Sequence, residues 1–324
     1  MDKDLVEVKE LKMYFPVLSG VVLPRKTGEI KAVDGVSFSI KTGQTLGLVG
    51  ESGSGKTTVG MCILQLHRPT AGKVLYQQRE LTQMKGNELR LMRRKMQAIF
   101  QDPYGSLDPR MTATDIIGEA LNIHHLLPQK EYPERVDELL TLVGLNPQLA
   151  NHFPHEFSAG ERQRLGIARA LAVKPEFIVC DEPVSSLDVC VQTQILCLLQ
   201  DLQSKLNLTY LFIAHDLAVV GYISHQIGVM YLGRLMELGR RDRIYQNPLH
   251  PYTKALLAAV PVPDRALERQ RKRIPVEGDI VSSLSPPSGC SFQPRCPEAT
   301  PDCREMVPVM EMKEPEHWVA CWKV

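Results

Sequence analysis

A glycine-rich octapeptide constrains the fold of this chain more than any other feature of its sequence. It reads Gly50-Glu51-Ser52-Gly53-Ser54-Gly55-Lys56-Thr57 and fits the pattern G-x-x-x-x-G-K-[ST] of phosphate-binding loops. Glycines allow the backbone to turn tightly, so that its N–H groups form a concave anion site at the start of the next helix. The apolar run 45–49 before the loop predicts a buried strand, and the pattern over 58–66 predicts a helix.

The polar residues of this loop suit a nucleoside triphosphate. Lys56 would reach the β- and γ-phosphates, and the Thr57 hydroxyl would bind Mg²⁺. The residues predicted to bind the nucleotide through the loop are Ser52, Gly53, Ser54, Gly55, Lys56, Thr57 and Thr58. The alternative is a glycine-rich turn with an incidental lysine, and the strand and helix patterns on either side argue against it.

The composition excludes several classes of protein. A length of 324 residues with 44% hydrophobic content is enough for one large α/β core with an appendage, or for two modest domains. The net charge of +1 gives no sign of nucleic-acid binding. The N-terminus lacks the pattern of a signal peptide, and no apolar run reaches the roughly 18 residues of a membrane span. We therefore expect a soluble, cytosolic protein.

Strand and helix patterns alternate along most of the chain, which predicts a mostly parallel sheet covered on both faces. The segment 16–29 is predicted to be a loop insertion, and near Val260 the composition becomes charged and then proline-rich, which predicts a domain boundary. Besides 45–49, the predicted strands are 6–15, 32–40, 74–76, 97–100, 177–180, 209–214 and 227–231. Besides 58–66, the predicted helices are 114–124, 132–143 and 189–206.

Four polar residues follow predicted strands and are candidates for catalysis. Asp181 and Glu182 follow the strand 177–180, where Asp181 could hold Mg²⁺ and Glu182 could polarise an attacking water. An acid pair capping the next turn is the alternative. Gln101 could reach metal and water. His215, at another strand end, is by itself more often structural than catalytic.

Another motif, Phe157-Ser158-Ala159-Gly160-Glu161-Arg162-Gln163-Arg164, follows the helix-rich middle section. The motifs occur in the order phosphate loop, Gln101, Ser158-Ala159-Gly160-Glu161, Asp181-Glu182, Ser186-Leu187-Asp188 and His215. This order resembles the ATP-binding cassette (ABC) ATPase family over about residues 5–260. The resemblance implies an α/β fold, a P-loop ABC ATPase with a RecA-like core, an antiparallel β subdomain, a helical subdomain at about 102–157 and a C-terminal cysteine-containing extension. The nucleotide-binding domain would span 1–260 and the extension 261–324.

The resemblance also implies roles for site residues. Glu182, His215 and Gln101 would be catalytic, and Thr57, Gln101 and Asp181 would hold Mg²⁺. Tyr14 matches the aromatic residue that stacks on adenine, with an ordinary strand aromatic as the alternative.

The signature motif would bind the ATP held by the phosphate loop of a partner subunit, through Ser158, Gly160 and Glu161. Here the sequence departs from the family pattern, because Ala159 replaces a glycine and Glu161 replaces a glutamine. If the alanine needed a positive φ, the cost would be on the order of 1 kcal/mol. Glu161 would bring a negative charge near an anionic ligand, unless it served the ribose hydroxyls.

The chain also resembles, over nearly its whole length, the oligopeptide/dipeptide importer branch of this family, and within it the F-type ATP-binding subunit. The motifs that carry the resemblance are 101–110, 247–253, 286–290 and 295–297. It implies ATP-driven import and a peripheral position on the cytoplasmic face of the membrane. The implied partners are a related D-type ATPase subunit, two membrane permease subunits and an extracytoplasmic substrate-binding protein, with no nucleic acid.

Eight cysteines form two groups. Cys62, Cys180, Cys190 and Cys197 are predicted to be small core residues. From spacing alone, four thiolates in the tail suit Zn²⁺ at least as well as an iron–sulfur cluster, and disulfides are a third possibility. The resemblance implies a [4Fe–4S] cluster held by Cys290, Cys296, Cys303 and Cys321. A tail so rich in proline buries little core, so a metal would stabilise it and leave the ATP site largely independent.

Three alternatives stay open beside peptide import. The first is an importer of another solute, such as a metal chelate or a sugar. The second is a soluble ABC ATPase acting on DNA or ribosomes. The lack of sustained heptads between the phosphate loop and the signature argues against the DNA-acting proteins, which have a long coiled coil there. The single cassette in this sequence argues against the ribosome-acting proteins, which have two. The third is a redox sensor built on the tail cysteines.

Overall fold

The computed structural model describes residues 3–19, 25–260 and 286–324, and these divide into two compact units. The first unit comprises Lys3, Lys41–Gln44 and Gln83–Ile213, and the second comprises the remaining described residues. The strands are β1 (Asp4–Ser19), β2 (Arg25–Lys41), β3 (Thr45–Val49), β4 (Ala71–Tyr76), β5 (Arg79–Glu80), β6 (Met96–Ile99), β7 (Phe177–Asp181), β8 (Thr209–Ala214), β9 (Gln226–Tyr231), β10 (Arg234–Arg240), β11 (Glu311–Glu314) and β12 (His317–Val319).

Eleven α-helices are present in the described part of the chain. They are α1 (Lys56–Ile63), α2 (Gly86–Lys95), α3 (Pro103–Ser106), α4 (Ala113–Ile123), α5 (Tyr132–Leu142), α6 (Ala159–Leu171), α7 (Val189–Leu206), α8 (Leu217–Ile223), α9 (Arg241–Gln246), α10 (Pro251–Ala259) and α11 (Pro301–Glu305). No helix among these residues has the length and apolar character that crossing a bilayer requires.

The first unit combines a parallel set of strands with most of the helices. Strand β7 pairs in parallel with both β6 and β8, and its five residues are all buried. This burial explains the continuous apolar run Phe177–Cys180, since a central parallel strand is covered on both faces. Helix α7 has the predicted bounds. It begins after Asp188, whose carboxylate accepts hydrogen bonds from the N–H groups of Cys190 and Val191, as expected of an N-cap.

The second unit contains two sets of strands. One is an antiparallel sheet in the order β2-β1-β4-β5, in which Val6 and Val8 on β1 are almost fully buried and the residue between them is half-buried. In the other set β3 pairs in parallel with β9, while β10 pairs antiparallel with β9 and with β12. Since β3 ends directly before the phosphate loop, this second set positions the loop.

The predicted loop insertion at 16–29 is wrong at both ends. Strand β1 continues to Ser19 and β2 already begins at Arg25, while residues 20–24 lie outside the described part of the chain. Gly28 lies in β2, the outer strand of its sheet, and Pro16 lies beyond Lys12, where the pairing of β1 with β4 ends. Proline and glycine are tolerated at such edge positions.

The tail is part of the second unit and does not lack a core, contrary to the expectation from its composition. Strand β12 extends the sheet at β10, and Phe292 and Val319 are almost fully buried. The carboxylate of Glu237 on β10, itself fully buried, accepts hydrogen bonds from the N–H groups of Leu249 (2.8 Å) and His250 (2.9 Å).

The same carboxylate of Glu237 also lies 2.7 Å from Nε2 of His317 on β12. It thereby joins β10, the segment before α10 and the tail. Buried carboxylates with several donors stabilise a fold only when all of their partners are in place. The composition of the tail, taken alone, could not reveal these partners.

Candidate functional site

Two glycines of the phosphate loop lie against the backbone of neighbouring strands. The φ angle of Gly55 is +100°, and a Cβ atom at this residue would lie 2.1 Å from the carbonyl oxygen of Ala32. A Cβ atom at Gly50 would lie equally close, 2.1 Å, to the carbonyl oxygen of Met230. No side chain fits at such distances, so both positions require glycine.

Lys56 lies inside this loop and holds its backbone. The ammonium donates hydrogen bonds to the carbonyl oxygens of Gly50 (2.8 Å) and Glu51 (2.9 Å), and to Oγ of Ser54 at 3.3 Å. Lys56 and Ser54 are buried, while Ser52, Gly53 and Thr57 are exposed and Thr58 is half-buried. The positive charge is thus fixed in a cradle of backbone, next to an exposed threonine.

Tyr14, the predicted adenine-stacking residue, is held by a carboxylate in the second unit. Its hydroxyl donates a hydrogen bond of 2.5 Å to Oδ1 of Asp34, and Arg234 lies 2.6 Å from Oδ2 of the same carboxylate. Burial, followed by the hydrogen bond to Asp34, raises the pKa of Tyr14 to about 12. The Lys31 ammonium lies 5.7 Å from the centre of the ring. No local pattern indicates these three partners, because they come from distant positions in the sequence.

The first unit brings two of the predicted catalytic residues together. Nε2 of Gln101 donates a hydrogen bond of 3.0 Å to Oε2 of Glu182. The φ angle of Glu182 is +46°, which is uncommon for a residue with a side chain, and its N–H donates to the carbonyl oxygen of Ile213 at 2.9 Å. Such conformations are concentrated at functional sites. Asp181, the last residue of β7, is almost fully buried.

The signature residues form the N-terminus of α6. Oγ of Ser158 and the N–H of Ser158 both donate to Oε2 of Glu161, at 2.7 and 2.8 Å, and the N–H of Glu161 donates back to Oγ. This arrangement is a capping box, and the spacing S-x-x-E is the sequence signal that could have revealed it. The two hydrogen bonds from Ser158 lower the pKa of Glu161.

The neighbouring positions explain why the altered signature folds without strain. Ala159 is the first residue of α6 and has a helical rather than a left-handed conformation, so the cost considered for a positive φ does not arise. A Cβ atom at Gly160 would lie 2.7 Å from Cγ1 of Val191, so this glycine allows α6 and α7 to approach. His215 directly follows β8 and is exposed.

The four tail cysteines line one small cavity in the second unit. Cys290 and Cys303 are buried, Cys296 and Cys321 are half-buried, and the N–H of Cys290 donates to the carbonyl oxygen of Cys303 at 2.8 Å. Burial, reinforced by the other three thiols, raises the pKa of Cys290 to about 11.

All eight cysteines are free thiols, which does not support the disulfide alternative. Within the described residues, no three His, Cys, Asp or Glu side chains are arranged to hold a metal ion as they stand. The donor chemistry nevertheless fits, since four thiols around one cavity suit iron–sulfur or zinc. The expectation that the other cysteines are core residues holds for Cys62 and Cys180 and is wrong for Cys190 and Cys197, which are exposed on α7.

Two family models and several known proteins match this chain, and together the matches cover nearly its whole length. Residues 33–185 match the family ABC transporter, and residues 236–303 match the family Oligopeptide/dipeptide transporter, C-terminal region. The oligopeptide transport ATP-binding protein AppF of Bacillus subtilis is 50% identical over 98% of this chain and 96% of its own length. The oligopeptide transport ATP-binding protein OppF of Salmonella typhimurium is 50% identical over 99% of this chain and 97% of its own length.

Solved structures show the same similarity at the level of the fold. A dimeric ATP-binding cassette in a post-hydrolysis state bound to ADP and Pi has a TM-score of 0.65, at 28% identity over 73% of this chain and 98% of that chain. The structure of cbiO1 from Clostridium perfringens, part of the ABC transporter complex cbiONQ, also has a TM-score of 0.65, at 26% identity over 76% of this chain and 92% of that chain.

The capping box generates a prediction about stability and its pH dependence. Because the folded-state pKa of Glu161 is lowered, its stabilising effect is present above the unfolded-state pKa and is lost as the pH falls through the folded-state pKa. A neutral amide oxygen accepts the hydrogen bonds from Ser158 more weakly than the carboxylate does. We therefore expect Glu161→Gln to lower the free energy of unfolding by about 0.5 to 1 kcal/mol at pH 7, and the difference from wild type to shrink below about pH 4.

Thermal unfolding followed by circular dichroism at several pH values measures this difference. Glu134→Gln is the matched control, because Glu134 is an exposed glutamate in the first turn of another helix, α5. A Glu161→Gln protein as stable as the control at pH 7, or a difference that grows on acidification, would contradict the role of the carboxylate.

Proposed function

Because the chain belongs to the ATP-binding subunits of the ABC transporter family, we propose that it hydrolyses ATP to power the import of oligopeptides or dipeptides. Two observations together carry the proposal. The phosphate loop accepts hydrogen bonds from the Lys56 ammonium through its backbone, and residues 236–303 match the C-terminal region of oligopeptide/dipeptide transporters. The two relatives named above are described as oligopeptide transport ATP-binding proteins and are similar over nearly their whole length. An importer of a metal chelate or a sugar would share the loop but would not account for that similarity.

In the second unit, the phosphate loop and Tyr14 would bind the nucleotide. Lys56 would donate to the β- and γ-phosphates, for which its ammonium would leave the loop carbonyls that it contacts now. The N–H groups of Ser52, Gly53, Ser54, Gly55, Thr57 and Thr58 would add to the anion site. Tyr14 would stack on adenine, with its ring held by Asp34.

Mg²⁺ would be held by oxygen atoms, which this ion prefers. Thr57, an exposed residue, offers a hydroxyl, Asp181 a carboxylate and Gln101 an amide oxygen. Bound Mg²⁺ would neutralise charge on the phosphates during their transfer.

Glu182 would be the general base that polarises the attacking water, and Gln101 would orient its carboxylate through the hydrogen bond at 3.0 Å. His215, an exposed residue after β8, would contact the γ-phosphate or the water.

The signature would act on a second nucleotide, held by a partner subunit. Ser158, Gly160 and the helix N-terminus of α6 would approach its γ-phosphate, because N-terminal N–H groups and the helix dipole favour anions. The Ser158 hydroxyl now donates to Glu161, so it would exchange this carboxylate for the phosphate. Glu161 would then be free to accept hydrogen bonds from ribose hydroxyls.

We further propose that the chain works as a peripheral subunit on the cytoplasmic face of the membrane. Its partners would be a related D-type ATPase subunit, two membrane permease subunits and an extracytoplasmic substrate-binding protein. ATP binding would close the ATPase dimer, hydrolysis would reopen it, and the helix-rich section of the first unit would transmit the movement to the permeases.

The tail would hold a [4Fe–4S] cluster through Cys290, Cys296, Cys303 and Cys321, with Zn²⁺ as the alternative. Support comes from the four thiols, which line one cavity and are of the type that iron–sulfur clusters and zinc take as ligands. Such a group would supply structural cross-links between segments of the tail. The other four cysteines would supply no ligand; they are the buried Cys62 and Cys180 and the exposed Cys190 and Cys197.

The catalytic proposal is tested with Glu182→Gln in the complex co-expressed with its membrane and ATPase partners. Loss of the general base should reduce single-turnover hydrolysis at this subunit's site by about a hundredfold or more, while equilibrium binding of ATP stays unchanged. Lys56→Ala is the comparison variant, which should lose binding itself.

ATP-dependent uptake of a labelled tetrapeptide into proteoliposomes reports transport in the same preparations. Wild-type complex should take up the peptide, and Glu182→Gln complex should not. Unchanged hydrolysis in the Glu182→Gln complex would remove this residue from the mechanism. A wild-type complex that hydrolyses ATP but takes up no peptide, and whose hydrolysis no peptide stimulates, would contradict peptide import.

The metal proposal is tested on anaerobically purified full-length protein. It should be brown and contain iron and acid-labile sulfide at about four each per chain. Replacement of any one tail cysteine by serine should lower both contents sharply, whereas Cys197→Ser, at an exposed thiol on α7, should not. Colourless protein with one equivalent of zinc would refute the iron–sulfur cluster and support the zinc alternative. Metal-free, fully folded protein would refute both the cluster and the zinc site.

A further inference from the structure

Arg295 connects the cysteine-bearing tail to the phosphate loop. It directly precedes Cys296, yet its Nη1 donates hydrogen bonds to both carboxylate oxygens of Glu51, at 3.0 and 2.8 Å. The Arg295 side chain is only 8% exposed and that of Glu51 28%. Glu51 is the second residue of the phosphate loop, and neither the loop motif nor the cysteine spacing predicts this contact.

A second contact holds the backbone of the same residue. The N–H of Glu51 donates a hydrogen bond of 3.1 Å to the hydroxyl of Tyr252, which lies on the first turn of α10 and is fully buried. Glu51 is therefore fixed both at its main chain and at its side chain, by two elements that follow it by 201 and 244 residues.

Packed aromatic rings support both contacts. The ring of Tyr231, at the end of β9, lies 4.8 Å from that of Tyr252 and 5.4 Å from that of Phe292, centre to centre. Phe292 belongs to the tail, is almost fully buried and lies 5.1 Å from Tyr252. The Arg295 guanidinium lies 5.8 Å from the centre of the Tyr231 ring and donates to its hydroxyl at 3.3 Å. Rings packed in this way leave the guanidinium little freedom to move.

The position of Glu51 matters because it borders the inside of the loop. Its carbonyl oxygen accepts a hydrogen bond of 2.9 Å from the Lys56 ammonium. Displacement of Glu51 would therefore move one of the backbone oxygens that position this ammonium. Its carboxylate is also a negative charge in the loop. Without a cationic partner it would repel the phosphates of a nucleotide, and Arg295 neutralises it.

We propose that Arg295 and Tyr252 are positioning residues for the phosphate loop, through which the tail sets the affinity of the chain for ATP. Arg295 neutralises and orients the Glu51 carboxylate, and Tyr252 fixes its backbone. The inference rests on the proposed function of the loop as an ATP site. It replaces the expectation from sequence that the tail leaves this site independent.

Equilibrium binding of a fluorescent ATP analogue to the full-length protein tests the proposal with Arg295→Gln, Glu51→Gln and the double variant. Arg295→Gln leaves an unpaired carboxylate beside the phosphates, so we expect its Kd to rise about tenfold. Glu51→Gln removes that charge and should raise Kd less. In the double variant the neutral amide should restore the affinity toward that of Glu51→Gln, a rescue that simple damage to the tail would not produce.

The control is Arg240→Gln, which removes an arginine that lies 3.8 Å from Glu316 in the tail and does not contact the loop in the described structure. Thermal unfolding and iron content of each variant show whether the tail stays intact. If Arg295→Gln does not fold, Arg295→Lys and Tyr252→Phe replace it. The lysine variant should bind ATP more weakly than wild type, and the phenylalanine variant should show a Kd raised a few-fold.

The outcomes separate this inference from the proposed function. If Lys56→Ala binds the analogue as wild type does, the assignment of the loop itself fails. If Lys56→Ala loses binding while the Arg295, Glu51 and Tyr252 variants bind like Arg240→Gln, the loop is an ATP site and the positioning role is refuted. Equal Kd values for Arg295→Gln and the double variant would refute the charge argument.

Discussion

The close approach of two backbone carbonyl groups to the phosphate loop is the constraint on which the rest of the nucleotide site depends. The carbonyl oxygens of Ala32 and Met230 occupy the space that side chains at positions 55 and 50 would need. Only a loop with glycine at both positions can pack against β2 and β9 and still direct its N–H groups inward. The same packing allows Lys56 to contact the loop carbonyls, so the fold holds its positive charge at the loop.

The tail contributes to this packing, although its composition suggests an appendage. Its strand β12 extends the sheet beside β10, and the buried Glu237 carboxylate joins it to the segment before α10. Tyr252 on α10 and Arg295 in the tail then both contact Glu51. Cys296 therefore directly follows, in the sequence, a residue that contacts the phosphate loop.

Local patterns allowed much of this molecule to be predicted from sequence. The fold class is confirmed by the solved cassettes, and helix α7 and strand β3 have the predicted bounds, because periodicity and capping are local signals. The capping box of Ser158 and Glu161 is equally local and could have been predicted from its spacing. The contacts of Arg295 with Glu51 join positions 244 residues apart, so no local pattern could reveal them. The exposure of Cys190 and Cys197 was not predicted, because the buried stripe of α7 is narrower than its apolar pattern.

The most direct test of the central claim is calorimetric binding of MgATP to the full-length wild-type, Gly55→Ala and Gly166→Ala proteins. Gly166 serves as the control, because a Cβ atom at this residue would have no neighbouring atom within 4 Å. We expect wild type and Gly166→Ala to bind alike and folded Gly55→Ala to show no binding. Equal affinity of Gly55→Ala would contradict the assignment of this loop as the ATP site.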